Sequence, residues 1–201
     1  MPRRLSRRRL LIGFAVGLAW AGSVGFVAAC GTSEDDALPA GFDAVHSDLT
    51  PAEARAFADF SLYWAGASFE GSPLTAITLP RGFVTFIYGD CKAASDSGCS
   101  PPLQVQVWRA CERNLSSYAL TPAGDPLPHQ RVRLRGVPAA FFEGGARLEL
   151  YTGDVSVVLF GEGRNQLRRA AEALRGANVG VGRAADLPPP VEGALAGRLR
   201  C

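Results

Sequence analysis

Twenty consecutive residues, Leu10 to Ala29, carry no charge, and the nine before them, Met1 to Arg9, hold five arginines and no acid. This is the layout of a signal peptide. The arginine flank stays cytoplasmic while the apolar run enters the bilayer, so the rest of the chain is expected outside. Residues 1–29 then form no part of the folded domain, and the remaining chain resides where thiols oxidise. An uncleaved anchor is the alternative, because about 20 apolar residues span a bilayer. Both readings leave the domain on the same side.

The run ends Val27-Ala28-Ala29-Cys30-Gly31, small residues before a cysteine. It resembles the lipobox of bacterial lipoproteins, which implies acylation of Cys30 as the new N-terminus. A diacylglyceryl group supplies two acyl chains at roughly 0.8 kcal/mol per buried methylene, enough for durable anchoring where one chain is not. Ser6-Arg7-Arg8-Arg9-Leu10-Leu11 is similar to a twin-arginine export signal, and the glycines at 13, 17, 22 and 25 keep the run only mildly hydrophobic. The expected address is the extracytoplasmic face of the cell membrane, with the lipid on Cys30 as the membrane contact.

Cleavage leaves 172 residues, a length expected to give one domain with a real core. It also removes five basic residues and no acid, so a formal +2 becomes −3. That balance gives no electrostatic reason to expect nucleic acid as a partner. Twenty arginines stand against one lysine, Lys92, a bias that reads as base composition. With Cys30 lipidated, Cys91, Cys99, Cys111 and Cys201 remain, an even number outside the cytoplasm. Of three pairings, Cys91–Cys99 with Cys111–Cys201 is favoured. The first would clamp the polar loop Lys92 to Gly98, and the second would tie back the tail, contributing roughly 2 to 3 and about 4 to 5 kcal/mol by loop entropy. The alternative for Cys201 is a free thiol or a bridge between molecules.

Residues 30–49 lack periodicity and read as a lipidated tether reaching on the order of 25 Å. The acidic triplet Glu34-Asp35-Asp36 reads as a solvated spacer. Thr50-Pro51-Ala52-Glu53 combines an N-cap, a proline at the first helical position and a capping-box acid, predicting a short helix to about Asp59. Strands are predicted at Phe60 to Trp64, Thr75 to Leu79, Phe83 to Tyr88, Leu103 to Val107, Arg131 to Arg135, Ala139 to Glu143, Arg147 to Tyr151 and Val155 to Phe160. Leu103-Gln104-Val105-Gln106-Val107 alternates strictly, as a strand with one buried face does. Gly144-Gly145 and Thr152-Gly153-Asp154 supply turn chemistry for an antiparallel meander. Leu167, Ala170, Ala171 and Leu174 fall at helical spacing, with Gly176 as the expected stop. The reading is an α+β domain over 50–178, mainly one antiparallel curved β-sheet with a short N-terminal helix and a C-terminal amphipathic helix packed on it. An extended tail, 179–201, completes the chain.

The stretch Arg135-Gly136-Val137-Pro138-Ala139-Ala140, then Leu148-Glu149-Leu150-Tyr151, Val157-Val158-Leu159-Phe160-Gly161 and Ala171-Glu172-Ala173-Leu174 resembles a strand-strand-strand-helix module. That module occurs in extracytoplasmic bacterial lipoproteins and anti-sigma-factor ectodomains, families related to the lipoprotein-carrier fold. The resemblance covers about 40 residues, with Tyr151 where a Trp is common. It implies a curved antiparallel sheet carrying a helix, acyl-chain binding in some members, and no catalytic residue.

Chemistry is sparse. The chain has two histidines, His46 in the tether and His129 in a proline-rich loop, both read as solvated. Neither stands among the three or four ligands that zinc requires, so no metal or other cofactor is expected. Gly66-Ala67-Ser68-Phe69-Glu70-Gly71 misses the nucleophile-elbow spacing by one residue and reads as a turn. Gly161-Glu162-Gly163 lacks the lysine of a phosphate loop. Among Glu70, Asp90, Glu143 and Glu149 no spacing selects a catalytic pair. The stripe Arg131, Arg133 and Arg135 is the best polar candidate, for an anionic partner; Tyr63, Trp64 and Trp108 are aromatic candidates for a pocket or for core packing. Two functions are compatible with this sequence. The favoured one is a non-enzymatic binding or envelope-interaction lipoprotein that holds a protein or an apolar ligand. The other is a small secreted hydrolase whose groups converge only in three dimensions, for example His129 on Ser68.

Overall fold

Thr50 caps the first helix, α1 (Pro51–Ala56): its side chain accepts from the Glu53 amide, and the Glu53 carboxylate accepts from the Thr50 amide, so two orphan helix-end donors are satisfied reciprocally. The helix ends three residues before Asp59, where Phe57 turns extended. The computed structural model describes residues 38–91 and 99–201. The signal peptide, Cys30, most of the tether and the loop from Lys92 to Gly98 lie outside the described residues.

The strands are β1 (Tyr63–Trp64), β2 (Ser68–Phe69), β3 (Ser72–Thr78), β4 (Phe83–Tyr88), β5 (Leu103–Arg109), β6 (His129–Leu134), β7 (Val137–Phe142), β8 (Arg147–Thr152), β9 (Val155–Gly161) and β10 (Arg175–Gly176). A short helix α2 (Leu115–Tyr118) precedes β6, and α3 (Arg164–Ala173) precedes β10. Eight strands form one antiparallel sheet in the order β2-β3-β4-β5-β9-β8-β7-β6. It is two consecutive meanders, β2 to β5 and β6 to β9, joined where β5 pairs with β9. The mainly antiparallel α+β architecture read from the sequence is present in one compact unit.

Register turns alternation into faces. Ile77, Phe86, Val105, Leu159, Leu148 and Phe141 stand side by side across six strands, each at most 2% exposed. Full burial of such side chains contributes roughly 1.5 to 3 kcal/mol each. Leu167, Ala170 and Ala171 of α3 and Ala54 of α1 are buried in the same cluster.

Several local expectations shift. The strand expected over 60–64 is two residues long and pairs with β10, so Gly176 continues the chain as a strand instead of stopping the helix, which ends at Ala173 with Leu174 already extended. Arg135 leaves its strand: with φ +48° beside Gly136 at +77°, it forms the β6–β7 turn. The tail is not merely extended. Leu187 N–H donates to Arg135 O (2.9 Å), Val191 N–H to Gly153 O (2.8 Å), and Leu187 and Ala194 are buried. Cys91 is bonded to Cys99 and Cys111 to Cys201, with Cα separations of 5.7 and 5.4 Å.

Candidate ligand-binding groove

The face of the sheet turned away from α3 has a different character. Its central row reads Thr78, Thr85, Gln106, Val158, Glu149, Ala140, Arg131. Over the β6–β9 half lies the segment from Arg113 through α2 to Leu127. Asn114 starts α2 by accepting from the Ser117 amide (3.0 Å). Cys111–Cys201 then brings the tail alongside. Gly197 makes the close approach: a Cβ there would stand 3.0 Å from the Asn114 side-chain nitrogen, and its φ of +64° suits glycine.

Between α2, the following loop and the tail lies an open groove of about 540 Å³. Leu115, Ala119, Leu120 and Pro126 wall one side, and Leu195 and Ala196 of the tail the other. The Leu120 side chain is 43% exposed there. At the sheet edge the groove meets His129 and Arg131. The His129 ring stacks on Phe142 (centroids 5.2 Å apart), and its Nδ1 donates to Leu127 O (2.8 Å). That bond fixes the tautomer with Nε2 as acceptor, 3.4 Å from Arg131 Nε. The arrangement is an apolar trough with one fixed positive charge at its rim, suited to an apolar body with an anionic head.

Beneath the cover sits a buried charge cluster. Glu149 is 0% exposed and accepts from Arg113 Nη2 and from the Tyr151 hydroxyl (3.0 Å). Arg147 Nε stands 3.3 Å from the same carboxylate without hydrogen-bond alignment, while its Nη1 pairs with Glu143 at 2.8 Å. Burial and the adjacent carboxylate push the Tyr151 hydroxyl well above its ordinary range, so it stays a donor. The Arg113 guanidinium lies 3.9 Å from the Tyr118 ring centroid and 5.4 Å from that of Trp108. This cluster pins the cover to the sheet.

The sequence-predicted residues are dispersed. Arg131 and Arg133 are exposed on β6, but Arg135 is not their neighbour on a stripe. Its guanidinium donates to the carbonyls of Ala171, Leu174, Gly182 and Ala185, fastening the C-terminal end of α3 and the tail. Trp64 is 9% exposed and packs against Phe86, and Tyr63 is buried. Trp108 stacks on Phe83 (3.7 Å) and donates to Gln106 (3.0 Å), outside the groove. His46 pairs with Asp43 at 2.8 Å, which holds that carboxyl below its usual range. Ser68 and His129 lie on β2 and β6, the opposite edges of the sheet, so they do not meet. Among the described residues no three His, Cys, Asp or Glu side chains could hold a metal ion, and no helix is long and apolar enough to cross a membrane. Arg113 and α2 were not singled out by sequence reasoning; Asn114 three residues before Ser117 is the capping signal that could have found them.

Compared with known proteins, the chain matches no family model, no curated sequence and no solved structure.

Proposed function

We propose that this protein is a bacterial extracytoplasmic lipoprotein, anchored through a lipid on Cys30, that binds an amphiphile with a long apolar body and an anionic head. The groove carries this reading: its walls are apolar, and Arg131 stands at its rim. The anchor supplies the context, because a tether of roughly 25 Å keeps the groove beside the bilayer from which such ligands come. The run β7-β8-β9-α3 coincides with the stretch that resembles the lipoprotein-carrier-like module, and we read α3 as the amphipathic cover on the convex side of a curved sheet. Two disulfides accord with the oxidising compartment that export implies. A hydrolase using Ser68 and His129 draws no support from their places on opposite edges.

The test is displacement of a fluorescent long-chain fatty acid from the membrane-extracted protein, after intact-mass analysis of the anchor. Wild type binds it; Leu120→Glu abolishes binding by placing a carboxylate in the trough; Arg131→Ala weakens the acid about tenfold and leaves the corresponding alcohol unchanged. Equal binding by wild type and Leu120→Glu overturns the groove, and an unlipidated mass overturns the anchor.

A further inference from the structure

A second cavity, of about 470 Å³, lies among the β2–β3 hairpin, the C-terminal end of α3 and the start of the tail. Glu70 and Gly71, both at positive φ, make the hairpin turn and bring the Glu70 carboxylate onto Arg169, which donates to it from Nε and from Nη2 (3.2 Å). These two charges neutralise each other. Three others at the cavity do not. Arg175 and Arg183 have no carboxylate oxygen within 4 Å among the described residues, and Glu172 has no basic nitrogen within that distance. Arg175 is nonetheless held in place. Its guanidinium lies over the Trp64 ring (5.7 Å) and against Gly66, where a Cβ would stand 1.7 Å from Nη2. Glycine at 66 therefore makes room for the guanidinium.

We propose that this cavity binds a small amino dicarboxylic acid of the aspartate–glutamate class. The two unpaired guanidinium groups match its two carboxylates, in the forked geometry that arginine presents. The unpaired Glu172 matches its ammonium group. The five lining charges sum to +1, which a ligand of net charge −1 neutralises. A plain dicarboxylate would occupy both guanidinium groups but leave Glu172 without a cation and the site at a net charge of −1, so the site discriminates by the amine. The proposal is independent of the apolar groove, which shares no residue with this cavity.

Isothermal titration calorimetry of the whole chain with L-glutamate, D-glutamate and glutarate tests it. One glutamate enantiomer or both bind, and glutarate binds at least tenfold more weakly. Arg183→Ala, an exposed change that leaves the thermal melt in place, weakens glutamate about tenfold or more. Glu172→Gln weakens glutamate while tightening glutarate. Fatty-acid binding is unchanged in both variants, which separates this site from the groove. No heat with either enantiomer at millimolar concentration, or glutarate binding as tightly as glutamate, overturns the proposal.

Discussion

The same strands present two faces built on different physics. On the α3 side the row from Ile77 to Phe141 is wholly apolar, and its stability scales with area withdrawn from water. On the opposite side the row from Thr78 to Arg131 has Glu149 next to its central Val158, buried as deeply as Leu148 beside it in the chain. There the energy lies in pairing: one carboxylate held by Arg113 and Tyr151 beneath a cover whose own apolar cluster is small, chiefly Ala119, Ala140 and Phe142. The apolar face is stable by redundancy, whereas the polar face depends on a few partners and one covalent tie. The groove on the second face inherits that dependence.

The largest test of this contrast removes the tie. Cys111→Ser with Cys201→Ser opens a bridge spanning 90 residues, which loop entropy values at about 4 to 5 kcal/mol. The expected mark is regional: hydrogen exchange speeds up over 111–128 and 187–201 while the β4, β5 and β9 amides keep most of their protection. Uniform loss across both faces would break the comparison. Next comes Glu149→Ala, which leaves Arg113 buried without its carboxylate and is expected to cost about 3 to 5 kcal/mol in urea unfolding. Leu148→Ala, on the other face, is expected to cost about 2 to 5. Replacing Arg113, Glu149 and Arg147 together by Met, Leu and Met should recover most of the loss, because no charge is then stranded. A cost below about 1 kcal/mol for Glu149→Ala would mean the cluster is solvated and the second face is simply surface.

The apolar face was legible because alternation over Leu103 to Val107 and the runs Phe83 to Tyr88 and Val155 to Phe160 encode burial locally. The capping box at Thr50 is likewise a contact between residues three apart. The disulfide pairing was legible as a preference among three, for the one that clamps the short loop between Cys91 and Cys99 and ties back the tail through Cys201. The second face was not. Glu149 reads as one surface acid among several until register sets it across from Ala140 and Val158, and its partner Arg113 comes from 36 residues away. Arg135 looks like the third member of a strand stripe until the chain turns at that residue. The cover helix α2 has four residues, too few for periodicity to register. The groove needs α2, the sheet edge and a tail brought in by Cys201, so no local pattern contains it.

A smaller effect is expected from Tyr151→Phe, which removes one hydrogen bond to Glu149, a loss of about 1.5 to 3 kcal/mol for a bond to a charged group. The smallest test compares the buried Arg113–Glu149 pair with an exposed one of the same chemistry, Arg169–Glu70, whose side chains are 54% and 40% exposed. The Arg169 guanidinium holds the Glu70 carboxyl below its usual range. The folded value is thus depressed, and the contribution is present above the unfolded value, near pH 4.3, and lost as the pH falls through the folded one. Glu70→Gln should therefore shift stability by less than about 1 kcal/mol at pH 7, and by nothing measurable in acid below both values or in 1 M salt. Glu149→Gln at pH 7 should retain its full cost in 1 M salt, because its partner is shielded from ions. If salt erases both effects alike, the two pairs share one environment and the distinction between the faces fails.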